Sequence, residues 1–149
     1  MPRASVKRLV ECKKNQLINL VLDIEKYPAF VPYCIDAKVH EKKNTEDFVN
    51  IIADLTIGKG PFKDTYKSNV KFYKNNNSIY VTNIDGPLKH LDNKWTFEDH
   101  KEGTAIYFDV DFEIKNKFLN ILMRASFQYG LDKIADAFQE RANQLFKGQ

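Results

Sequence analysis

Between residues 35 and 114 the chain alternates repeatedly between apolar and polar side chains, which is the pattern of strands that bury one face of a sheet. The clearest alternation runs from 106 to 114, where every second side chain is apolar and the opposite face is largely acidic. The segment 91–97 follows the same rule and directs Trp95, the single tryptophan, to the inner face. Both segments therefore predict half-buried strands.

Turn-forming residues separate the alternating segments from one another. A Gly-Lys-Gly-Pro sequence, three consecutive asparagines, a Gly-Pro pair and a His-Lys-Glu-Gly sequence each interrupt the alternation and favour reversals of the chain. The segments between them have the length of consecutive antiparallel strands. The predicted strands are 6–11, 35–42, 47–57, 62–72, 78–84, 91–97 and 106–114.

The apolar period changes to that of a helix near both ends of the chain. Apolar residues recur at helical spacing within 15–25, and Pro28 and Pro32 leave space for only a short helical turn after it. From Lys117 onward an apolar stripe opposed by charged residues predicts a long C-terminal helix. A long helix on one face of a curved antiparallel sheet is an α+β fold. We expect residues 1–149 to form one domain, without repeats or linkers.

The composition is that of a soluble globular protein. Of the 149 residues, 43% are hydrophobic and 29% are charged, and the net charge is +3. No apolar run approaches the roughly 18 residues that span a bilayer, and the charged N-terminal residues are not followed by the apolar segment of a secretory signal. The lack of a secretory signal, together with the presence of only two cysteines, predicts a cytoplasmic, bacterial protein without a disulfide. The basic excess is too small to indicate a DNA-binding protein.

Residues able to carry chemistry show none of the spacings that catalysis or metal binding requires. His40, His90 and His100 stand at no recognised metal-ligand spacing relative to each other or to the cysteines. The chain has no Gly-x-Ser-x-Gly motif and no phosphate-binding loop. The acidic row within 109–113 lies on the outer strand face, where solvation is the ordinary state. We therefore expect no catalytic residue, no metal site and no enzymatic activity.

The inner face of the predicted sheet is rich in aromatic residues and also carries polar side chains. Tyr66, Asn93 and Trp95 would bring a hydroxyl, an amide and an indole N–H inward, and Asp64 and Ser68 share that orientation. Buried polar groups need hydrogen-bond partners, and ligand pockets combine apolar walls with a few such groups. The pattern alone leaves two interpretations open: a packed aromatic core, or an apolar pocket.

Four segments resemble one protein family. Residues 23–34, DIEKYPAFVPYC, are similar to its DIExYPxFxPxC signature, and residues 85–97, DGPLKHLDNKWTF, are similar to its DGPFxxLxxxWxF segment. Residues 111–114 and 137–142 are similar to its DFEF and AFxxRA segments. In this order and over nearly the whole chain, the sequence resembles the coenzyme Q-binding and RatA-type (ribosome-association toxin) proteins of the START-like, polyketide cyclase-like superfamily.

The resemblance implies a helix-grip fold, in which about seven curved antiparallel strands surround the long C-terminal helix and two short helices follow the first strand. It also implies a hydrophobic tunnel between sheet and helix, and non-enzymatic binding of ubiquinone or a related polyprenyl lipid in support of respiration, with no covalent cofactor. The tunnel wall would comprise Leu55, Ile57, Phe62, Tyr66, Trp95, Phe97, Phe108 and Phe112. The tunnel mouth would comprise Tyr27, Pro28, Phe30, Gly86, Pro87, Phe118, Leu122 and Phe127. The apolar stretch 118–127 would bring this mouth into peripheral contact with the inner membrane.

The same family implies an alternative function, that of a ribosome-association toxin that binds the large ribosomal subunit and blocks subunit joining. Such a partner requires a basic surface, and four lysines lie along a single stretch: Lys63, Lys67, Lys71 and Lys74. These lysines are more typical of an ordinary solvated strand face. Ribosome binding is therefore the alternative, and lipid binding is the first hypothesis.

Overall fold

The computed structural model describes residues 3–59 and 62–146. They form one seven-stranded antiparallel sheet, two α-helices and one 3-10 helix. The strands are β1 (Arg3–Val10), β2 (Cys34–Asn44), β3 (Phe48–Lys59), β4 (Phe62–Tyr73), β5 (Ser78–Asp85), β6 (Leu88–His100) and β7 (Gly103–Ile114). The helices are α1 (Lys14–Leu22), the 3-10 helix (Ile24–Ala29) and α2 (Lys117–Phe146).

The sheet is a meander whose first strand returns to its last. Each strand from β2 to β7 pairs with the next one in sequence, and β1 pairs with β7, so the order is β1-β7-β6-β5-β4-β3-β2. The α+β fold with a long C-terminal helix is confirmed. Several boundaries differ, since β1 begins at Arg3 and β6 extends from Leu88 to His100. The first helix is also shorter than predicted, because Asp23 leaves the helical conformation (φ −85°, ψ 67°) and ends α1 at Leu22. The chain then enters the 3-10 helix, which contains Pro28.

Side chains on the inner face line up in rows that cross the sheet from strand to strand. The first row consists of Val49, Phe72, Ile79, Trp95, Phe108 and Val6, each paired with the next on the neighbouring strand. All of its members are buried except Phe72, which is half-buried. The rings of Trp95 and Phe108 lie 4.0 Å apart between centroids. The inward orientation that alternation predicted for Trp95 is confirmed.

The C-terminal half of α2 covers this first row. Leu131, Ala135 and Phe138 recur at helical spacing and are buried against the sheet. The Phe138 ring lies 5.2 Å from that of Trp95. The space left between α2 and the row is about 10 Å³, at the lower limit of what a single water molecule needs. This part of the inner face is a packed core, and we call it the closed end.

Candidate functional site

Exposure of the inner face rises from the closed end toward the opposite end of the sheet. The second row contains Ile51, Val70, Val81, Asn93, Val110 and Ala4. The third contains Ala53, Ser68 and Asn83, with Leu91 and Phe112 on the next two strands. The last row contains Leu55, Tyr66, Leu88 and Ile114, all half-buried although they face inward.

Ile57 lies two residues beyond Leu55 on the same face of β3 and is 39% exposed. We call Leu55, Ile57, Tyr66, Leu88 and Ile114 the open end of the inner face. These residues are more exposed than the buried members of the first row at the closed end. The result is a concave sheet face that is solidly packed at one end and incompletely covered, with apolar walls, at the other.

The Gly86-Pro87 turn forms one rim of the open end. Gly86 has a φ of +127°, and a Cβ at this position would lie 2.8 Å from both Cα and Cβ of Tyr66, so only glycine fits against that strand. The turn is held by three hydrogen bonds. The Gly86 amide donates to Asp85 Oδ1 over 2.9 Å, the Lys115 amide donates to the Pro87 carbonyl over 2.9 Å, and Asn83 Nδ2 donates to the Leu88 carbonyl over 3.2 Å.

The 3-10 helix supplies a second rim. Its Tyr27 ring packs edge-to-face against Phe138, 5.4 Å away, and the Tyr27 hydroxyl donates a hydrogen bond to the Val21 carbonyl. Burial raises the pKa of the Tyr27 phenol well above its usual range, and nearby Tyr66 and Cys34 add to the increase. Tyr27 therefore lies between the aromatic cluster of the closed end and Tyr66 at the open end. Burial also raises the pKa of Tyr66, again with a contribution from Cys34.

In the part of the chain that the structure describes, two polar atoms of the inner face are buried without a hydrogen-bond partner. Ser68 is completely buried in the third row, and its Oγ has no partner; Asn93 Oδ1, in the second row, is likewise buried and unpaired. Such groups ordinarily find partners in folded proteins. The inward orientation predicted for both side chains agrees with the strand register. Asp64, which shares that register, lies at the strand end and is exposed.

The residues expected to form a tunnel wall divide into two groups. Trp95, Phe97, Phe108 and Phe112 are buried, the first three among the core aromatics and Phe112 against the ring of Phe127, 4.7 Å away. Leu55, Ile57 and Tyr66 form much of the open end. The side chain of Phe62 lies outside the described part of the structure.

The residues expected at the tunnel mouth also occupy different environments. Tyr27, Phe30, Gly86, Pro87 and Phe127 are half-buried around the inner face, whereas Pro28 is exposed and Phe118 is 69% exposed. The side chain of Leu122 lies outside the described residues.

Sequence reasoning did not assign Phe138, Leu88, Ile114 or Asn83 to the site. Phe138 contacts Tyr27, Phe30 and Trp95, and its place in the apolar stripe of α2 was the available signal.

Histidines on the outer surface pair with carboxylates. His90 Nε2 lies 3.2 Å from Asp111 Oδ1, and its Nδ1 lies 3.7 Å from Glu113 Oε2. His40 Nε2 lies 2.7 Å from Asp54 Oδ2. The acidic row of β7 is thus partly engaged by a histidine instead of being fully solvated. Within residues 3–59 and 62–146, no group of three or more His, Cys, Asp or Glu side chains is arranged to hold a metal ion.

A shallow, solvent-open depression of about 610 Å³ lies at the far end of the sheet, by the start of α1. Its lining is mainly charged and includes the ion pair between Lys14 Nζ and Asp99 Oδ2, 3.1 Å apart. Because it is open and polar, this depression lacks the apolar walls that an apolar ligand requires. The open end of the inner face remains the candidate site.

Lysines and aromatic rings alternate on the outer face of the sheet. Lys71 Nζ lies 4.3 Å from the ring centre of Phe48, and Lys94 Nζ lies 5.4 Å from that of Tyr80. The rings of Tyr73 and Tyr80 are exposed and 5.5 Å apart. The four lysines named from the sequence do not share one environment. Lys63 is exposed, Lys67 is paired in the sheet between Asp54 and Asp85, and Lys74 Nζ donates hydrogen bonds to Asn44 Oδ1 and the Thr45 carbonyl.

Among the described residues, α2 and the shorter helices lack the combination of length and apolar character needed to cross a bilayer. Similarity to known proteins gives no support for the peripheral membrane contact expected for the stretch 118–127.

Comparison with known proteins matches the family of polyketide cyclase / dehydrase and lipid transport proteins over residues 10–139. The chain is 30% identical over 143 residues to the ribosome association toxin RatA of Rickettsia prowazekii, covering 94% of this chain and 95% of that protein. It is also 30% identical over 135 residues to the mitochondrial coenzyme Q-binding protein COQ10 of Dictyostelium discoideum, covering 89% of this chain and 64% of that protein.

Solved structures give the same result for the fold. An 18 kDa protein from Caulobacter crescentus superposes with a TM-score of 0.80 at 27% identity, over 97% of this chain and 98% of that one. The Zhui aromatase/cyclase from Streptomyces superposes with a TM-score of 0.77 at 11% identity, over 95% and 93% of the two chains, so the fold also occurs in enzymes. The chain belongs to the polyketide cyclase / dehydrase and lipid transport family and has its START-like helix-grip fold.

Proposed function

We propose that this protein binds a hydrophobic isoprenoid ligand, such as ubiquinone or a related polyprenyl lipid, on the inner face of the sheet. The observation that carries the proposal is the exposure gradient along that face, which leaves apolar, inward-facing side chains incompletely covered at the open end. Each 100 Å² of apolar area removed from water contributes about 2.5 kcal/mol. A polyprenyl chain therefore binds such a surface firmly without precise polar contacts.

The proposed role is that of a carrier, not an enzyme. His40 and His90 pair with carboxylates on the outer face of the sheet, away from the apolar inner face. Fold alone does not imply chemistry, since the same scaffold serves binding proteins and cyclases. The relative named as a coenzyme Q-binding protein supports a quinone as the ligand and no covalently attached cofactor.

Two isoleucines at the same end of the sheet provide a matched test of where the ligand binds. Ile57 faces inward on β3 at 39% exposure, and Ile84, at the register shift between β4 and β5, is 50% exposed. Ile57→Asp places a charge in the proposed ligand path and should weaken binding of a decyl-substituted benzoquinone at least tenfold. Ile84→Asp carries the same charge at an exposed position two strands away and should leave the affinity unchanged. Equal effects of the two substitutions, or no binding by the unmodified protein, would overturn the proposal.

A second candidate function is association with the large ribosomal subunit in the cytoplasm. It is favoured by the similarity to RatA, which extends over nearly the full length of both chains. The lysines and exposed tyrosines of the outer sheet face suit an RNA-rich partner, since lysines pair with phosphates and aromatic rings stack on unpaired bases. Binding through this surface would leave the inner face free for a ligand.

Cosedimentation with purified large subunits tests this second function. Binding should weaken as salt rises, and the combined substitution Lys71→Glu and Lys94→Glu should reduce it. Lys133→Glu, on the exposed side of α2, makes a charge change of the same kind away from the sheet and should have no effect. Cosedimentation that is absent at low salt, or equally sensitive to the helix variant, would contradict the assignment to the outer face.

A further inference from the structure

We propose that the oxygen-bearing ring of the ligand binds between Ser68 and Asn93, with its apolar chain directed toward the open end. This inference rests on the proposed binding of a hydrophobic ligand and adds its orientation and the chemistry of its polar group. Ser68 Oγ and Asn93 Oδ1 are buried, face inward and have no hydrogen-bond partner within residues 3–59 and 62–146. A ligand able to pair with both would satisfy them.

The position of these two side chains gives the orientation. Ser68 precedes the open end by one row, since Tyr66 lies two residues away on β4 and occupies the last row. Asn93 lies one row deeper, paired with Val81 on one side and Val110 on the other. Beyond Asn93 the inner face is closed by the packed Trp95 row. A ligand that reaches Asn93 therefore has its polar group at the inner end and its chain toward the exit.

The spacing of the strands fits a ring with oxygen atoms at opposite ends. Ser68 is on β4 and Asn93 is on β6, two strand spacings apart across the sheet (about 10 Å) and two residues apart along it (about 7 Å), so their backbones are about 12 Å apart. One aromatic ring with an oxygen on each side, plus a hydrogen bond of about 2.8 Å at each end, spans a distance of this order. Val81, on the strand between them, is half-buried and provides an apolar surface beneath such a ring.

The two protein groups also select the kind of oxygen that binds. Asn93 Oδ1 can only accept a hydrogen bond, whereas the Ser68 hydroxyl can donate or accept. A ring bearing hydroxyl groups can satisfy both atoms as they stand, whereas a ring bearing only carbonyl oxygens cannot donate to Asn93 Oδ1 and pairs with Asn93 only after the amide turns to present its Nδ2 donor. We therefore expect a hydroxyl-bearing ring, as in a reduced quinone, to bind more tightly than its oxidised form.

Three probes with the same alkyl chain test the inference: a decyl-substituted benzoquinol, the matching benzoquinone and decylbenzene, which has no oxygen. Binding to the full chain is measured anaerobically by calorimetry. The unmodified protein should prefer the quinol over the quinone by about three- to tenfold, the range expected for one net hydrogen bond. Asn93→Leu should abolish this preference, and Ser68→Ala should weaken both oxygen-bearing probes about threefold or more. Neither substitution should change the affinity for decylbenzene.

The outcomes separate the inference from the function on which it rests. If none of the probes binds, the proposed function itself fails. If all three bind and neither substitution alters their order, a hydrophobic site exists but its polar subsite is not at Ser68 and Asn93. If the substitutions weaken decylbenzene as much as the quinol, their effect is on the packing of the site, which also overturns the inference. Ile57→Asp serves as the control that should weaken all three probes together.

Discussion

Replacing Ser68 with alanine should stabilise the unliganded protein, which is the opposite of the usual effect of removing a buried polar group. The Ser68 side chain is fully buried between Ala53 and Asn83 of the neighbouring strands, and its hydroxyl has no partner. A buried hydroxyl without a hydrogen bond costs about 1–3 kcal/mol. Alanine removes that group with almost no change in volume. We expect the free energy of unfolding to rise by about 1 kcal/mol.

Ser78 provides the matched control. It is also buried in the sheet, on the next strand, but its hydroxyl donates a hydrogen bond to the Asn76 carbonyl over 3.3 Å. Ser78→Ala removes a paired hydroxyl and leaves a carbonyl without this donor, so it should lower the free energy of unfolding by about 1 kcal/mol. The same chemical change at two buried strand positions should therefore act with opposite sign, with a difference of about 2 kcal/mol.

Urea unfolding followed by Trp95 fluorescence measures both changes, since Trp95 is the single tryptophan and lies in the buried first row. The melting temperature should move by about 2–4 °C per kcal/mol in a protein of this size. If Ser68→Ala destabilises the protein as much as Ser78→Ala, the Ser68 hydroxyl already has a partner in solution. The Ser68 hydroxyl would then not be available to pair with a ligand.

Three other predictions test the rims of the open end. Gly86→Ala should destabilise the fold by about 2–5 kcal/mol, because Gly86 has a positive φ and lies close to Tyr66. Gly130 has open space around it inside α2, so Gly130→Ala should stabilise the fold by about 1 kcal/mol. Equal chemical-denaturation midpoints for the two variants would contradict both expectations. Burial raises the pKa of the Tyr66 phenol, so above pH 10 the phenol ionises in the unfolded chain but not in the folded one, and the free energy of unfolding falls as pH rises. Tyr66→Phe should reduce this alkaline loss of stability. An unchanged slope of the free energy of unfolding against pH would count against the prediction. Burial and, to a smaller extent, the nearby Asp36 carboxylate raise the pKa of the Cys34 thiol to about 11. Alkylation of Cys34 by iodoacetamide at pH 8 should therefore be about 100-fold slower than that of an ordinary thiol. A rate equal to that of free cysteine would contradict the burial of this thiol.

Much of the fold could be predicted because period-two alternation is a local property. Trp95 and Ser68 face inward since side chains alternate along any strand, whatever that strand pairs with. The order of the strands also follows from short turns between successive antiparallel segments. The alignment of Trp95 with Phe108 and Ile79 could not be read from the sequence. Register depends on turn lengths and on irregularities such as the one between Lys67 and Ser68, which shift one strand against another.

The candidate site was harder to predict, because inward orientation does not determine coverage. Phe97 and Tyr66 both face inward on their strands, yet Phe97 is buried at the closed end and Tyr66 is half-buried at the open end. The difference arises from where the helices cross the sheet, which is a long-range property. The role of Phe138 as the contact between the 3-10 helix and Trp95 was missed for the same reason. A position in an apolar stripe predicts burial, but it does not identify the partner.

A polyprenyl lipid bound on the inner face should accompany the protein through purification. The protein is isolated from cells without detergent, extracted with organic solvent, and the extract is analysed by mass spectrometry beside that of the Ile57→Asp and Ile84→Asp variants. We predict a copurified quinone or polyprenyl lipid with the unmodified protein and with Ile84→Asp, and its loss with Ile57→Asp. Empty extracts from all three proteins, together with no uptake of added ubiquinone by the unmodified protein, would contradict lipid binding at the inner face.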